Sequence, residues 1–279
     1  MTQIGRSTPG HTVAVPRRPD VQLTLGWAAV TNVGRKRAVN EDSFVAVSPV
    51  FAVADGMGGH SAGDVASAAV VSRLAEVIET DFIDPDVVEH ALAVAAQDIS
   101  TVSGTTALGT GTTVTGAALT LVGTDPYWAI FNVGDSRVYQ FRGRLFEQVT
   151  VDHSVVQELV DSGVLTKEQA ENHPDSNVIT RAIGFNELPA PDYWMIPVTE
   201  GLRLLLCSDG LTKELSDDDI RQHLGAGKSA EETADGLVDA ALHRGGRDNV
   251  TVLVVDVLAT TGDFDLDQTV PRRGTGRHS

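Results

Sequence analysis

The sequence predicts an α+β domain built in layers, and three observations carry that prediction. Strand-like apolar segments cluster around two long helical stretches in the first half of the chain. They then return in the short spacing of hairpins. The strict strand–helix–strand alternation of a Rossmann-like sheet is absent. In chain order, residues 1–20 mix Gly, Pro, Ser, Thr and Arg without a period, which predicts a disordered arm. Strands are expected at 23–30 and 43–54. A helix follows from near Ala62 through "VASAAVVSRLAEVIE", and a second covers "PDVVEHALAVAAQDIS", opening on Pro85, a residue suited to a helix start. Further strands are expected at 112–122, 128–133, 137–141 and 145–149, with Arg142-Gly143 as a hairpin turn. The last two lie at 202–207 and 250–258. A tail that reads as disordered covers 260–279, and no linker interrupts 21–259, so one domain is expected there.

Composition narrows the function. The chain of 279 residues carries 38 acidic against 21 basic residues, a formal charge of -17. That balance argues against broad nucleic-acid binding and against adhesion to anionic membranes. An anionic substrate would need its field reversed locally, which bound divalent cations do. The single cysteine, Cys207, excludes an intramolecular disulfide and a cysteine-rich zinc site. No apolar run reaches the roughly 18 residues of a membrane span, and the first 20 residues lack a signal core. A cytoplasmic protein is the expectation.

One device repeats. "FAVADG" and "LLLCSDG" each drive an apolar strand into an aspartate followed by glycine, at Asp55-Gly56 and Asp209-Gly210. A buried charge costs several kcal/mol unless it is paired or binds a metal. The same grammar recurs where "VNEDSF" places Glu41 and Asp42 before a strand. It recurs again where "NVGDSR" places Asp135 between strands and "GGRDNV" places Asp248 before the last strand. One such residue is an ordinary turn aspartate. A set of them converging at strand ends would make an acidic pocket, and crowded carboxylates need cations. Oxygen-only donors favour Mg²⁺ or Mn²⁺ over Zn²⁺. Gly56 would turn sharply and offer its carbonyl, and Asp55 would bridge two ions sharing an acidified water. Arg37, just upstream of Glu41 and Asp42, is the candidate planar fork for a phosphate.

Two other motifs are decoys. "GAGKS" lacks the first glycine of a phosphate loop, since Gln222 stands there. "CSDGLTK" looks like a cysteine-phosphatase loop, but Lys213 replaces its arginine and Cys207 lies in an apolar run that would raise its pKa.

The blocks "GRKRAVNEDSF", "VADGMGGHSAGDVAS", "GTGTTV", "NVGDSRVY", "TVDHSVVQELVDSG", "HPDSNVITRAIG", "LLLCSDGLT" and "GRDNVTVLVV" occur in family order. With them the chain resembles the bacterial metal-dependent Ser/Thr protein phosphatases of type 2C, the PPM family. The resemblance implies a central β-sandwich of two antiparallel sheets flanked by pairs of α-helices, with a flap at about 152–190. "SVVQELVDSGVLTKEQA" in that flap should form two helices broken at Gly163. By motif position, Asp55, Asp209 and Asp248 would bind one Mn²⁺ or Mg²⁺, and Asp55 with the Gly56 carbonyl a second. Glu41 and Asp42 would hold metal-bound waters, Arg37 would clamp phosphate, and Asp135 with Asp209 matches a weaker third site. The implied activity is hydrolysis of phosphoserine and phosphothreonine in proteins by a metal-bridging water or hydroxide, opposing a Ser/Thr kinase.

One departure from the family pattern matters. Where many relatives carry a histidine two places after the first metal aspartate, this chain has Met57, which cannot donate a proton. His60 or a metal-bound water could serve as general acid, and the residues do not choose between them. In the tail, Thr269 in "DFDLDQTVPRR" has the setting of a site for a phosphothreonine-reading partner.

Overall fold

The computed structural model describes residues 1–58, 62–103, 109–171, 173–185 and 190–262. In chain order it forms β1 (Gln3–Gly5), β2 (Thr8–Val15), β3 (Arg18–Asn32), β4 (Asp42–Val47) and β5 (Val50–Met57). Helices α1 (Gly63–Glu76) and α2 (Pro85–Ser103) follow. Next come β6 (Gly111–Thr112), β7 (Val114–Val122), β8 (Asp125–Val133), β9 (Arg137–Arg142) and β10 (Leu145–Gln148). The flap carries α3 (Val155–Asp161) and α4 (Lys167–Glu171). The chain returns through β11 (Asp192–Pro197), β12 (Arg203–Cys207), α5 (Asp209–Thr212), α6 (Asp217–Leu224), α7 (Ala230–Arg244) and β13 (Val250–Thr260).

These strands make two sheets. One runs β1-β4-β5-β7-β8-β11, with β6 added to β5; the other runs β10-β9-β12-β13-β3-β2. Alternate residues of each strand face opposite ways, so each sheet has an inner and an outer apolar face. The inner faces meet in a core that includes Phe51, Trp128, Leu204, Leu206, Leu253 and Leu25. Trp27, Phe51 and Trp128 stack edge to face across it, with centroids 5.2 and 5.9 Å apart. On the outer face of the first sheet, α1 and α2 pack through Val70, Leu74, Leu92 and Ile99. On the second, α5, α6 and α7 pack through Leu211, Ile220, Leu237 and Ala241. The resulting helix–sheet–sheet–helix sandwich is the architecture the resemblance implied. Both sheets are antiparallel except at one edge, where β1 joins β4 in parallel.

Four expectations need correction. Residues 1–20 are not a disordered arm, because β1, β2 and the start of β3 lie there. "HTVAV" alternates, burying Val13 and Val15 to 1% and 3% exposure, and Pro16 with Arg17 turns the chain back into β3. Arg17 takes a φ of 62°, a conformation that glycine usually fills, which hides the turn from inspection. The Trp27 indole N–H donates to the Arg6 carbonyl at 3.0 Å, fastening the arm to the core. The single strand at 43–54 is a hairpin, with Asp42–Val47 paired to Val50–Met57 around Ser48-Pro49. The hairpin turn after β9 is Gly143-Arg144, one place later than expected, with the positive φ on Gly143. The tail boundary also moves, because β13 runs to Thr260 and the Gln22 N–H donates to Thr261 Oγ1 at 2.8 Å. Residues from 263 on, Thr269 among them, lie outside the described residues.

Removing residues 1–15 is therefore expected to destabilise the domain. Two buried valines contribute about 1.5–3 kcal/mol each, and an indole N–H without its acceptor adds about 1–3 kcal/mol. Urea unfolding should show a loss on the order of 5 kcal/mol; an unchanged midpoint would restore the disordered arm.

Candidate active site

All the acidic positions singled out in the sequence come to one end of the sandwich, contributed by both sheets. Asp42 opens β4 and lies opposite Asp55 in the β4–β5 register. Asp135 sits in the turn between β8 and β9. Asp209 opens α5 directly after β12, and Asp248 lies two residues before β13. Because β12 pairs with both β9 and β13, the ends carrying Asp135, Asp209 and Asp248 are neighbours.

Asp42 is the hinge between the sheets. It is fully buried, and its Oδ2 accepts hydrogen bonds from Ser208 Oγ at 2.8 Å and Thr251 Oγ1 at 2.6 Å. Its Oδ1 is buried without a partner among the described residues. Burial pushes its pKa up to about 7, against those two hydroxyls and helped by the charges of Asp209 and Asp248. Asp55 is held well above the usual carboxylate range by burial, then by Asp42, Asp209, Asp135 and Asp248. Asp135 rises to about 7 from burial and the charges of Asp209 and Asp152, partly offset by Lys213. Glu41 is raised by burial and by Asp64, while its carboxylate accepts from the Gly63 N–H. The named carboxylates thus feel one another.

The two glycines that follow aspartates have a shared reason, and it differs from the sharp turn expected. A Cβ on Gly56 would collide with the carbonyls of Gly63 and Glu41. A Cβ on Gly210 would collide with the Asn249 carbonyl. Each glycine lets a neighbouring loop close over the aspartate before it, and neither takes a positive φ. Behind Asp55, Thr113 Oγ1 accepts from the Asp55 N–H at 3.2 Å, and Thr112 Oγ1 donates to the Asp55 carbonyl at 2.9 Å. The "GTGTTV" stretch is that backing.

Asn249 knits the rim. Its side-chain oxygen accepts from the Glu41 N–H at 2.8 Å, and its amide donates to the carbonyls of Val33 at 2.9 Å and Val39 at 3.0 Å. The loop that carries Arg37 is therefore tied to the turn that carries Asp248. Three bonds worth about 1 kcal/mol each predict that Asn249→Ala costs about 3 kcal/mol in urea unfolding. A cost within experimental error would show that the loop is held by something else.

The cations are placed by the carboxylates. Arg37 forms a fork on Asp248, with Nε and Nη2 each 2.8 Å from a carboxylate oxygen. Its guanidinium side chain remains about half exposed. Lys213, which sequence reasoning met only as the lysine of a discarded loop, is ion-paired with Asp209 and lies 3.7 Å from Asp248. The signal was the i, i+4 spacing of Asp209 and Lys213 on a short helix. Ser208 and Thr251 were also missed, because a hydroxyl that supports a carboxylate from another sheet has no local pattern; so was Thr113, whose hydroxyl meets the Asp55 backbone from 58 residues further along the chain. Other arginines are structural: Arg137 grips Asp152 at 2.7 Å, and Arg181 pairs with Asp192 at 3.2 Å. Cys207 is buried and pushed up to about 12 by burial, as its apolar run predicted, so it is no nucleophile. The flap base is anchored by His153, whose Nδ1 accepts from the Gly134 N–H at 3.1 Å beside Asp135. Its two helices are broken where Gly163 takes a φ of 75°.

These residues fit a pair of hard cations. Every donor is an oxygen, Asp42 Oδ1 and Asp209 Oδ1 are buried without partners among the described residues, and burial, reinforced by mutual repulsion, raises the carboxyls of Asp42, Asp55 and Asp135. Among the described residues, no three His, Cys, Asp or Glu side chains already close on one point as a finished cage. Asp248 and Asp209 are instead ion-paired with Arg37 and Lys213. Met57 follows Gly56, and His60 lies outside the described residues.

Comparison with known proteins gives the family and the fold. A family model described as "Protein phosphatase 2C" matches residues 34–244. The serine/threonine protein phosphatase PstP of Mycobacterium tuberculosis is 39% identical over 256 residues, 90% of this chain and 48% of that protein. The chain thus spans about half the length of those relatives. The serine/threonine phosphatase Stp of Listeria monocytogenes is 36% identical over 239 residues, 81% of this chain and 93% of that one. A crystal structure of the M. tuberculosis PstP/Ppp superposes with a TM-score of 0.77 at 37% identity, covering 84% of this chain and 98% of that one. The PstP catalytic domain in complex with two manganese ions superposes with a TM-score of 0.75 at 37% identity, covering 84% and 99%.

Proposed function

This chain belongs to the protein phosphatase 2C family, and from that premise we propose that it hydrolyses phosphoserine and phosphothreonine in proteins, acting in the cytoplasm against a Ser/Thr kinase. The observation that carries the reading is the cluster of carboxylates at one end of the sandwich, two of them with a buried oxygen left without a partner. Asp55, Asp209, Asp248 and the Gly56 carbonyl would hold two Mn²⁺ or Mg²⁺ ions, and Glu41 and Asp42 would orient the water around them. When bound, such ions would supply charge stabilisation for the phosphoryl oxygens and would acidify water enough for it to attack phosphorus near neutral pH. No protein nucleophile is needed, in keeping with a Cys207 that is buried and protonated.

Arg37 supplies the clamp. Its fork rests on Asp248, and the half-exposed, planar guanidinium would take phosphate oxygens in the same bidentate way. Among the described residues no helix is long and apolar enough to cross a membrane. The test is a panel of phosphoserine, phosphothreonine and phosphotyrosine peptides assayed with Mn²⁺, with Mg²⁺ and with chelator. Release of phosphate from the first two, dependent on metal and without a phosphoenzyme, is the expected result. Hydrolysis unaffected by chelator would overturn the reading.

A further inference from the structure

Lys213 occupies ground that the family resemblance would give to a weaker third cation. Its ammonium is ion-paired with Asp209 Oδ2 and lies 3.7 Å from Asp248 Oδ2. Asp135 lies within electrostatic reach of the same ammonium: each charge acts on the other. Among the described residues, two other positive groups of the site are committed elsewhere. Arg37 lies on Asp248, and Arg137 holds Asp152, the other acid that acts on Asp135.

The two oxygens of Asp209 have separate fates. Oδ2 carries the lysine, whereas Oδ1 is buried and has no partner. One oxygen is therefore open to an ion of the core pair, while the other is already held by an ammonium. We propose that the Lys213 ammonium replaces the third cation between Asp135 and Asp209, so that the chain binds two divalent ions rather than three. This rests on the assignment of Asp55, Asp209 and Asp248 to a two-ion centre. A tethered ammonium is held beside Asp209 at an effective concentration in about the millimolar range, against which a weakly held ion must compete. Two cations about 4 Å apart also repel, so the lysine and a third ion exclude one another. Lysine suits the role as a compact point charge on a flexible stem anchored one helical turn from Asp209.

The test counts bound Mn²⁺ per chain by equilibrium dialysis and calorimetry, with circular dichroism to confirm folding, and needs no activity readout. The wild-type chain and Lys213→Arg should each bind two ions. Lys213→Met and, as a second neutral variant, Lys213→Gln should each gain a third, weaker ion. Adding Asp135→Asn to Lys213→Met should remove that gain. A wild-type chain that takes up three ions, or neutral variants that stay at two, would overturn the proposal while leaving the two-ion centre intact. A wild-type chain that binds none would overturn the centre and this inference with it.

Discussion

Asp209→Asn is expected to lower turnover at limiting Mn²⁺ by at least ~100-fold while leaving the metal-free fold as stable as before or more so. Loss of a residue that merely orients a ligand costs about 10- to 100-fold in metal affinity or activity, and a direct ligand should cost no less. The stability half follows from the surroundings of Asp209. Its charge raises the carboxyls of Asp42, Asp55 and Asp135, so neutralising it relieves repulsion on all three. The lost ion pair with Lys213 is partly offset, because Asp248 remains 3.7 Å from that ammonium. Steady-state rates across a Mn²⁺ titration, alongside melting curves in chelator, separate the two halves. Wild-type turnover at low Mn²⁺ would remove Asp209 from the metal centre. A large drop in melting temperature would show that the side chain is structural.

A second large effect is the pH dependence of stability without metal. Asp42 and Asp135 rise from an ordinary value near 3.8 to about 7 in the folded chain, and Asp55 and Glu41 move the same way. Between those limits the native state binds more protons than the unfolded state. Unfolding free energy therefore falls as pH rises from about 4 to about 8. The acids lowered in the fold, such as Asp192 and Glu214, change stability chiefly below about pH 4.5, under the pH 5 to 8 range in which the decline is read. A rise from 3.8 to about 7 corresponds to about 4 kcal/mol for an isolated buried group. The site's protons leave as a coupled set, so the combined loss is on the order of 5 kcal/mol, or about 10 °C in Tm. Melting curves from pH 5 to 8 in chelator should show that decline, and Mn²⁺ should flatten it by neutralising the carboxylates. A flat profile in chelator would mean that the acids do not share a site.

The layered α+β class, the long α1 and α2 and the apolar strands entering Asp55 and Asp209 were legible because each rests on short-range pattern. Periodicity marks a helix or strand within a dozen residues, and a strand that runs into "DG" is visible in six. The disordered arm was misread because its turn uses Arg17 where glycine is usual, and its alternation is short. β11 was missed because "DYWMIP" is ringed by prolines and has no clean period, and its partner β8 lies some sixty residues earlier. Lys213 was set aside with the motif it happened to complete, although its spacing from Asp209 was in plain view.

What the linear chain determined by itself is the inventory: which acids end which strands, an all-oxygen donor set, an arginine close by and a cysteine too apolar to react. The tertiary structure alone decided the assembly. Only the packing of one sheet on the other brings Ser208 and Thr251 to Asp42, makes Gly56 and Gly210 obligatory, and places one ammonium among Asp135, Asp209 and Asp248. The physical reason is range. Propensity and burial act between neighbours in sequence, whereas repulsion among carboxylates, and the cation that relieves it, depend on distances that no local pattern records.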